Sequence, residues 1–542
     1  MKAGFARDGN QKLRRQRADC DCQNPPDLAQ KCPPMKRYIL VFTLALLVAV
    51  GRAALPQPDL IAQIHFAGAE KNFVPTNTVA FTNEFCSAEA VALRAQTADK
   101  LSAWLAGWLP ANGASPVAGG AAKLRPLFND LQRAEWWLEA RAPVGGRPDL
   151  AIAIRLDAAR AKLWQANLQP FFPAATFKSV AGWLIFDAGT GPQKVADTLA
   201  AKLSAPAVGW GSVDVNWPRL AQWYPALKEL GLPETQLTLT APDANLRLTG
   251  KLFYPDNFYA ALPAWQMPTN TVHPPFVSFT AVRGISAWLA AQTWAAPLLI
   301  APVPDQAFVW AMPKIPFQTF VALPFPDATA ALNDAYGKLL PLFAGPDATK
   351  HFLMPFAPVL ANGQLNLRGV PFMTPYLQAL KEASGQYLLE GTFPNTPVAE
   401  PLPAQLFTRL ATKDLVYYHW ENTADRFGHK LEQLPQFAQL VLMMTRCQQL
   451  AGASAGFHWL KQVGPALGFS VTEITRTGPA ELTFTRKSAG LFTAMEMFVL
   501  ANWLEAATFP RCDLRLPATS TAAVPNARAT VAVPVSVPAP TH

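Results

Sequence analysis

The sequence predicts an α+β protein of two related lobes, each a mainly antiparallel sheet covered by helices. Two observations carry this. The same order of elements, a hairpin feeding an amphipathic helix, can be read twice along the chain. Within each copy, short runs alternate apolar and polar residues across tight turns, which is the pattern of a half-buried hairpin. Material for a core is ample: half of the 542 residues are hydrophobic, with 33 Phe and 16 Trp, and only 15% are charged. A chain of this length divides into two or more domains.

The first lobe is expected over 54–265. Glu135–Ala140, a Gly145-Gly146 turn and the alternating run Leu150–Arg155 form a hairpin, and the Ala-rich stretch Asp157–Trp164 follows as a helix. In the second lobe, expected over 266–515, Ala307–Met312, a proline-containing turn and Gln318–Leu323 precede the helix of Asp327–Tyr336. Asp157 and Asp327 stand where a side-chain oxygen accepts from the free N–H groups of a helix start. A second pair of segments repeats in the same way. Val213–Trp217 leads into a helix at Leu220–Leu230 and a Leu237–Thr240/Asn245–Lys251 hairpin. Val416–Trp420 leads into Ala424–Leu434 and, after an inserted helical stretch, a Val471–Thr475/Glu481–Lys487 hairpin. The proline-rich stretch Pro263–Pro275 is the expected border, and Pro394–Pro403 a loop inside the second lobe. The tail 516–542, made of Pro, Ala, Val and Thr, is expected to be disordered or extended.

Ahead of the lobes, Met35–Ala53 has the layout of a secretory signal peptide: Lys36 and Arg37, the uncharged run Tyr38–Val50, then small residues Gly51 and Ala53 before a cut. That run is short against the roughly 20 residues that cross a bilayer. The expected product is periplasmic or extracellular and starts at Ala54. Residues 1–34 read as a mis-assigned start or a disordered extension. Residues 1–53 hold 10 of the 46 basic and 4 of the 37 acidic side chains, so the remainder is nearly balanced, 36 against 33. A nucleic-acid reading loses its basis with that segment. Of six cysteines, Cys20, Cys22 and Cys32 lie in the extension, where three thiols lack a fourth metal ligand. Cys86, Cys447 and Cys512 remain and allow one disulfide at most.

Candidate chemistry is sparse. Gly452–Gly456 matches the GxSxG elbow with Ser454 as nucleophile, but the stretch before it reads as helix, and the following histidines, His458 and His542, are badly placed for a triad. A small-residue helix joint is the plainer reading. His419 and Glu421 share one face of a strand, and Asp425 and His429 one face of the next helix at i, i+4. These four could make a metal or acid–base cluster, although the corresponding place in the first lobe carries Asn216 and Pro218 and the ligand spacing is not compact. No cofactor or metal motif is present. Two apolar stretches stand out: Ala489–Phe509, and Leu101–Leu109 with Trp104 and Trp108. Both are expected to pack into a core, the alternatives being a lipid or peptide groove, peripheral membrane contact, or sugar stacking on Trp.

The signal peptide followed by Ala54–Leu60 and the repeated hairpin–helix units resembles large exported bacterial proteins of unknown function. The resemblance implies an envelope location and no established activity, and carries over no functional residue. The expected function is non-catalytic binding of an apolar small molecule or envelope component. A hydrolase using Ser454 or His419/His429, a structural spacer and a carbohydrate-binding protein are the competing readings.

Overall fold

Alternating residues build strands along the whole chain, and every strand joins one antiparallel sheet. The computed structural model describes residues 59–510 apart from 73–78, 112–114, 143–147, 189–194, 205–208, 225–226, 229–230, 255–261, 293–298, 314–317, 345–355, 371–373, 395–403, 428–453 and 507–508. The expected signal peptide, the tail, Cys447, Cys512 and His429 lie outside these residues. All described residues belong to one compact unit.

The first half opens with β1 (Leu60–Phe66) and four helices, α1 (Ala69–Asn72), α2 (Val79–Cys86), α3 (Ala88–Ala111) and α4 (Gly120–Leu131). The hairpin β2 (Trp136–Arg141) and β3 (Asp149–Arg155) feeds α5 (Ala158–Leu168). A second hairpin, β4 (Thr176–Val180) and β5 (Trp183–Asp187), feeds α6 (Val195–Lys202). Then come β6 (Gly211–Val215), α7 (Trp217–Trp223) and the hairpin β7 (Glu234–Thr240) and β8 (Leu246–Phe253).

The second half runs β9 (Ser278–Arg283), α8 (Ser286–Ala291), β10 (Gln306–Ala311), β11 (Thr319–Phe325) and α9 (Ala328–Ala344). Two hairpins follow, β12 (Ala357–Ala361) with β13 (Gln364–Arg368), and β14 (Tyr376–Glu382) with β15 (Gly385–Gly391). After α10 (Ala404–Leu410), β16 (Leu415–Asn422), α11 (Thr423–Phe427) and α12 (Ala455–Val463), the hairpin β17 (Phe469–Gly478) and β18 (Glu481–Ser488) leads to α13 (Ala494–Glu505).

The ladders run β4-β5-β3-β2-β1-β6-β7-β8-β18-β17-β16-β9-β10-β11-β15-β14-β13-β12, with every neighbour antiparallel. The α+β expectation with antiparallel pairing therefore holds, but as one 18-stranded sheet. Each expected hairpin is present. Asp157 accepts from the Arg160 N–H at 2.8 Å, and Asp327 from those of Thr329 and Ala330 at 3.0 Å.

Beside the β8–β18 seam the core changes sides across this sheet, while farther out apolar clusters lie on the other faces: Ala151, Trp183 and Ile185 under α6 in the first half, and Phe325, Leu365 and Leu388 under α9 in the second. Directly paired residues share a face, and Ile64, Val213, Leu237, Gly250, Phe484, Ile474, Tyr417 and Val282 form one such row. In the first half that face is apolar: Ile64, Val213, Val215, Trp136, Ile154 and Leu184 pack with Leu124, Leu127 and Trp164. In the second half the same face carries Ser278, Thr280, His419, Glu421, Ser470 and Thr472, all but Thr280 buried. The opposite face reverses this. In the first half it holds Gln63, His65, Glu139 and Gln236. In the second it holds the apolar cluster of Phe279, Phe308, Trp310, Phe320 and Leu389.

Both apolar stretches pack into a core as expected. Ala489–Phe509 becomes a helix from Ala494, behind a capping box of Thr493 and Glu496, and buries Ala494, Met497 and Ala501 while Met495 and Val499 stay 46% and 57% exposed. In the Leu101–Leu109 stretch Leu109 is buried in the first core, Leu105 and Trp108 pack against it, and Trp104 and Trp108 stack on each other at 5.7 Å. Within proline-rich Pro263–Pro275, Met267 and Val272 are buried in the second-half core. Among the described residues, no helix is long and apolar enough to cross a membrane, and Cys86 is an exposed free thiol.

Gly250 tests the centre of the sheet. A Cβ there would stand 1.9 Å from the Gln236 carbonyl oxygen and 2.6 Å from Leu237 Cα. Gly250→Ala must therefore push two central strands apart. We expect it to lower unfolding stability by about 1–3 kcal/mol or more in denaturant titration, while Gly107→Ala, where the Cβ meets nothing within 4 Å, leaves it unchanged or higher.

Candidate functional site

The polar candidates gather where β16 passes under the helices of the second half. Period-2 alternation puts Tyr417, His419 and Glu421 on one face. Their direct partners on β9 and β17 are small and polar: Thr280 and Thr472 beside His419, Ser278 and Ser470 beside Glu421. The Thr280 hydroxyl and His419 Nδ1 share a hydrogen bond of 2.8 Å, and Nε2 is buried without a partner among the described residues. Burial, reinforced by the cations Arg486 and Arg426, lowers the His419 pKa to about 4, so the ring is neutral at pH 7.

Glu421 is fully buried, and its carboxylate is occupied. It accepts from the Thr423 hydroxyl at 2.9 Å, from the Ala494 N–H at 2.7 Å and from Arg426 at 3.2 Å. It thus sits at the N-terminus of α13, where a negative charge is favoured. Arg486 donates to the Thr472 hydroxyl and holds both oxygens of Glu496 at 2.8 and 2.9 Å. Burial alone would raise Glu496, but this pairing keeps it below the usual carboxylate range. Asp425 is exposed and bonded to the Asn422 amide, so it does not face His419 and Glu421. His429 is outside the described residues. Among those residues no three His, Cys, Asp or Glu side chains come together as a metal site.

Ser454 caps a helix. Its oxygen accepts from the Phe457 N–H at 3.1 Å as the first residue before α12, and His458 is exposed on that helix. Gly456 is small for packing: a Cβ would stand 3.0 Å from Glu505 Cγ, and its N–H donates to Glu505 at 2.6 Å. Helix capping and close helix contact account for both motif positions.

Sequence reasoning missed the groove on the other face of the sheet. The strap at 262–269 runs over the apolar core and leaves a cleft of about 790 Å³ against α10 and the turn after it. Leu262, Trp265, Met267, Phe407, Leu410 and Ala411 give it apolar walls, with Arg283 and Lys413 also lining it. Gln306 ties the strap down, accepting from the Gln266 N–H at 2.9 Å and donating to the Ala264 carbonyl at 2.7 Å. Arg283 lies 4.6 Å over the Trp265 ring. Phe407 is 45% exposed although α10 anchors its neighbour Leu406 in the core.

No protein-family model, curated protein or solved structure matches this chain. The site is therefore judged on its own geometry. A filled, ion-paired layer suits holding α13 down. An open apolar cleft suits a ligand.

Glu84 gives the polar layer a measurable signature. It is buried on α2, its carboxylate accepts from the Leu491 N–H at 2.9 Å, and its backbone carbonyl accepts from the Trp459 indole at 2.6 Å. Burial, with repulsion from Glu496, pushes its pKa up to about 8. The folded state therefore favours the protonated acid. That contribution is present below the ordinary carboxylate pKa and is lost as pH rises toward 8. Glu84→Gln keeps an acceptor without the charge, so its melting temperature should rise over wild type by several degrees at pH 8 and little at pH 4, as read by thermal denaturation.

Proposed function

We propose that this chain is an exported, non-catalytic binding protein that holds an apolar ligand in the groove between the 262–269 strap and α10. One observation carries the reading: about 790 Å³ of cleft walled by Trp265, Met267 and a half-exposed Phe407. That volume is in the range of small-molecule sites, which are apolar with a few fixed polar groups. The half-exposed phenyl is held in place by a helix anchored in the core, so the cleft is pre-formed. Export rests on the signal-peptide pattern of Met35–Ala53, and peripheral contact with the envelope on the exposed Met495 and Val499.

The proposal includes an ancestral duplication, which the strand order supports. From β8 outward the first half reads β8-β7-β6-β1-β2-β3-β5-β4. From β18 outward the second reads β18-β17-β16-β9-β10-β11-β15-β14, with the β12–β13 hairpin added beyond it. The middle of the eight-pair ladder between β8 and β18 falls between the pairs Gly250–Phe484 and Thr249–Thr485. Asn216 and Asn422 are equivalent: each donates its N–H to a strand carbonyl, of Ile61 and Val277, and accepts from the N–H three residues on. This alignment sets Val213 and Val215 against His419 and Glu421, in place of the Asn216 and Pro218 suggested by sequence alone.

The neutral probe N-phenyl-1-naphthylamine tests the groove by fluorescence. Wild type should enhance its emission with saturable binding. Phe407→Glu, at an exposed position, should weaken binding about tenfold or more while moving the melting temperature by no more than a few degrees. Unsaturable binding, or binding indifferent to Phe407→Glu, would reject the groove as the site.

A further inference from the structure

The groove contains a cation that pairs with no carboxylate among the described residues. Arg283 is only 4% exposed, yet its donors all go to neutral backbone carbonyls: Leu415 and Pro263 at 2.7 Å, Thr412 at 3.4 Å, and Lys413. Among the described residues no carboxylate lies within ion-pair distance of it. Two act on it from farther off: Asp414, which pairs with Arg476 at 2.8 Å, and Asp305, which accepts from the Ser286 hydroxyl at 2.6 Å. A guanidinium carries five N–H donors, and these contacts use four, leaving one Nη1 hydrogen. A buried cation without a counter-ion is costly, and here it lines an apolar cleft. The second cation in the lining, exposed Lys413, also has no ion pair among the described residues, and no acidic residue contributes to the walls.

Building on the apolar-ligand reading, we infer that the groove takes an anionic amphiphile, specifically an unbranched alkyl carboxylate, its chain along Trp265, Met267 and Phe407 and its head group between Arg283 and Lys413. The class follows from the two parts of the lining. The walls offer apolar contact along a cleft open at one side, which suits a chain. The cations offer N–H donors and positive charge to a single head, which a carboxylate oxygen accepts. A neutral chain of the same length would leave the Arg283 charge unanswered.

The experiment is displacement of N-phenyl-1-naphthylamine from the full-length protein by dodecanoate and by dodecanol, each below the concentration at which it self-associates. Dodecanoate should displace the probe at a concentration at least about fivefold lower than dodecanol. Lys413→Glu should remove that advantage by weakening dodecanoate while leaving dodecanol where it was. Because Arg283 also ties the strap to 412–415, exposed Lys413 is the primary variant. Arg283→Lys serves as a second, expected to retain part of the preference. Equal displacement by acid and alcohol, or a preference indifferent to Lys413→Glu, would overturn the carboxylate and leave the apolar groove standing. Failure of the probe itself to bind would overturn both.

Discussion

Eight residue pairs between Leu246–Phe253 and Glu481–Ser488 carry the sheet from the first half of the chain to the second. The rest of the architecture depends on that ladder, because it fixes which side of every later strand faces which layer of helices. A slip of one residue there would exchange the faces of the whole second half relative to the first. The seam is accordingly specific in its chemistry. Gly250 lies against the Gln236 and Leu237 backbone too closely for any side chain, and the Lys251–Glu481 ion pair at 2.9 Å adds a polar match beside it.

With that register set, the two faces of the sheet do opposite things on the strands nearest the seam. Where the first half stacks Ile64, Val213 and Val215 on its helices, the second buries His419, Glu421 and Thr472. Where the second half has Phe279 and Trp310, the first has Gln63 and Glu139, the latter bonded to Arg141 and to Lys202. Buried charges are tolerated only when answered. Each polar layer shows this: Glu421 has Arg426, Glu496 has Arg486, and Arg141 reaches Asp59 at 2.8 Å. Among the described residues Arg283 departs from this habit, and it lies beside open space.

Much of this was legible in the sequence because it is local. Strand alternation, turn residues and the helix-start aspartates are properties of a few neighbouring residues, so the hairpins around Gly145 and Pro242 and the caps at Asp157 and Asp327 could be read directly. The sharing of a face by His419 and Glu421 was legible for the same reason. Their role was not, since it depends on Ala494 and Arg426 occupying the carboxylate, and the contact with Ala494 spans 73 residues. The proline content of 263–275 argued for a border between lobes. The signal for its packing was Trp265 and Met267, apolar side chains that suit burial. The groove itself arises from a strap, a strand and a helix far apart in the chain, from Leu262 to Leu410 and the turn after it, and no local pattern announces that meeting. The joining of both halves into one sheet was hidden likewise, because it rests on the pairing of β8 with β18 alone.

An antiparallel sheet this long still ends, and its two ends differ from its interior. The outermost strands are β4 and β12, one hydrogen-bonded only to β5 and the other only to β13. On β4, Lys178 is exposed and turned to Asp197 at 3.3 Å, and on β12 Pro358 has no N–H to give a further strand. A charge and a proline are what keep open edges from recruiting neighbours. A sheet that grows by antiparallel addition of like units carries the geometry of a fibre, and these two residues make it a finite object.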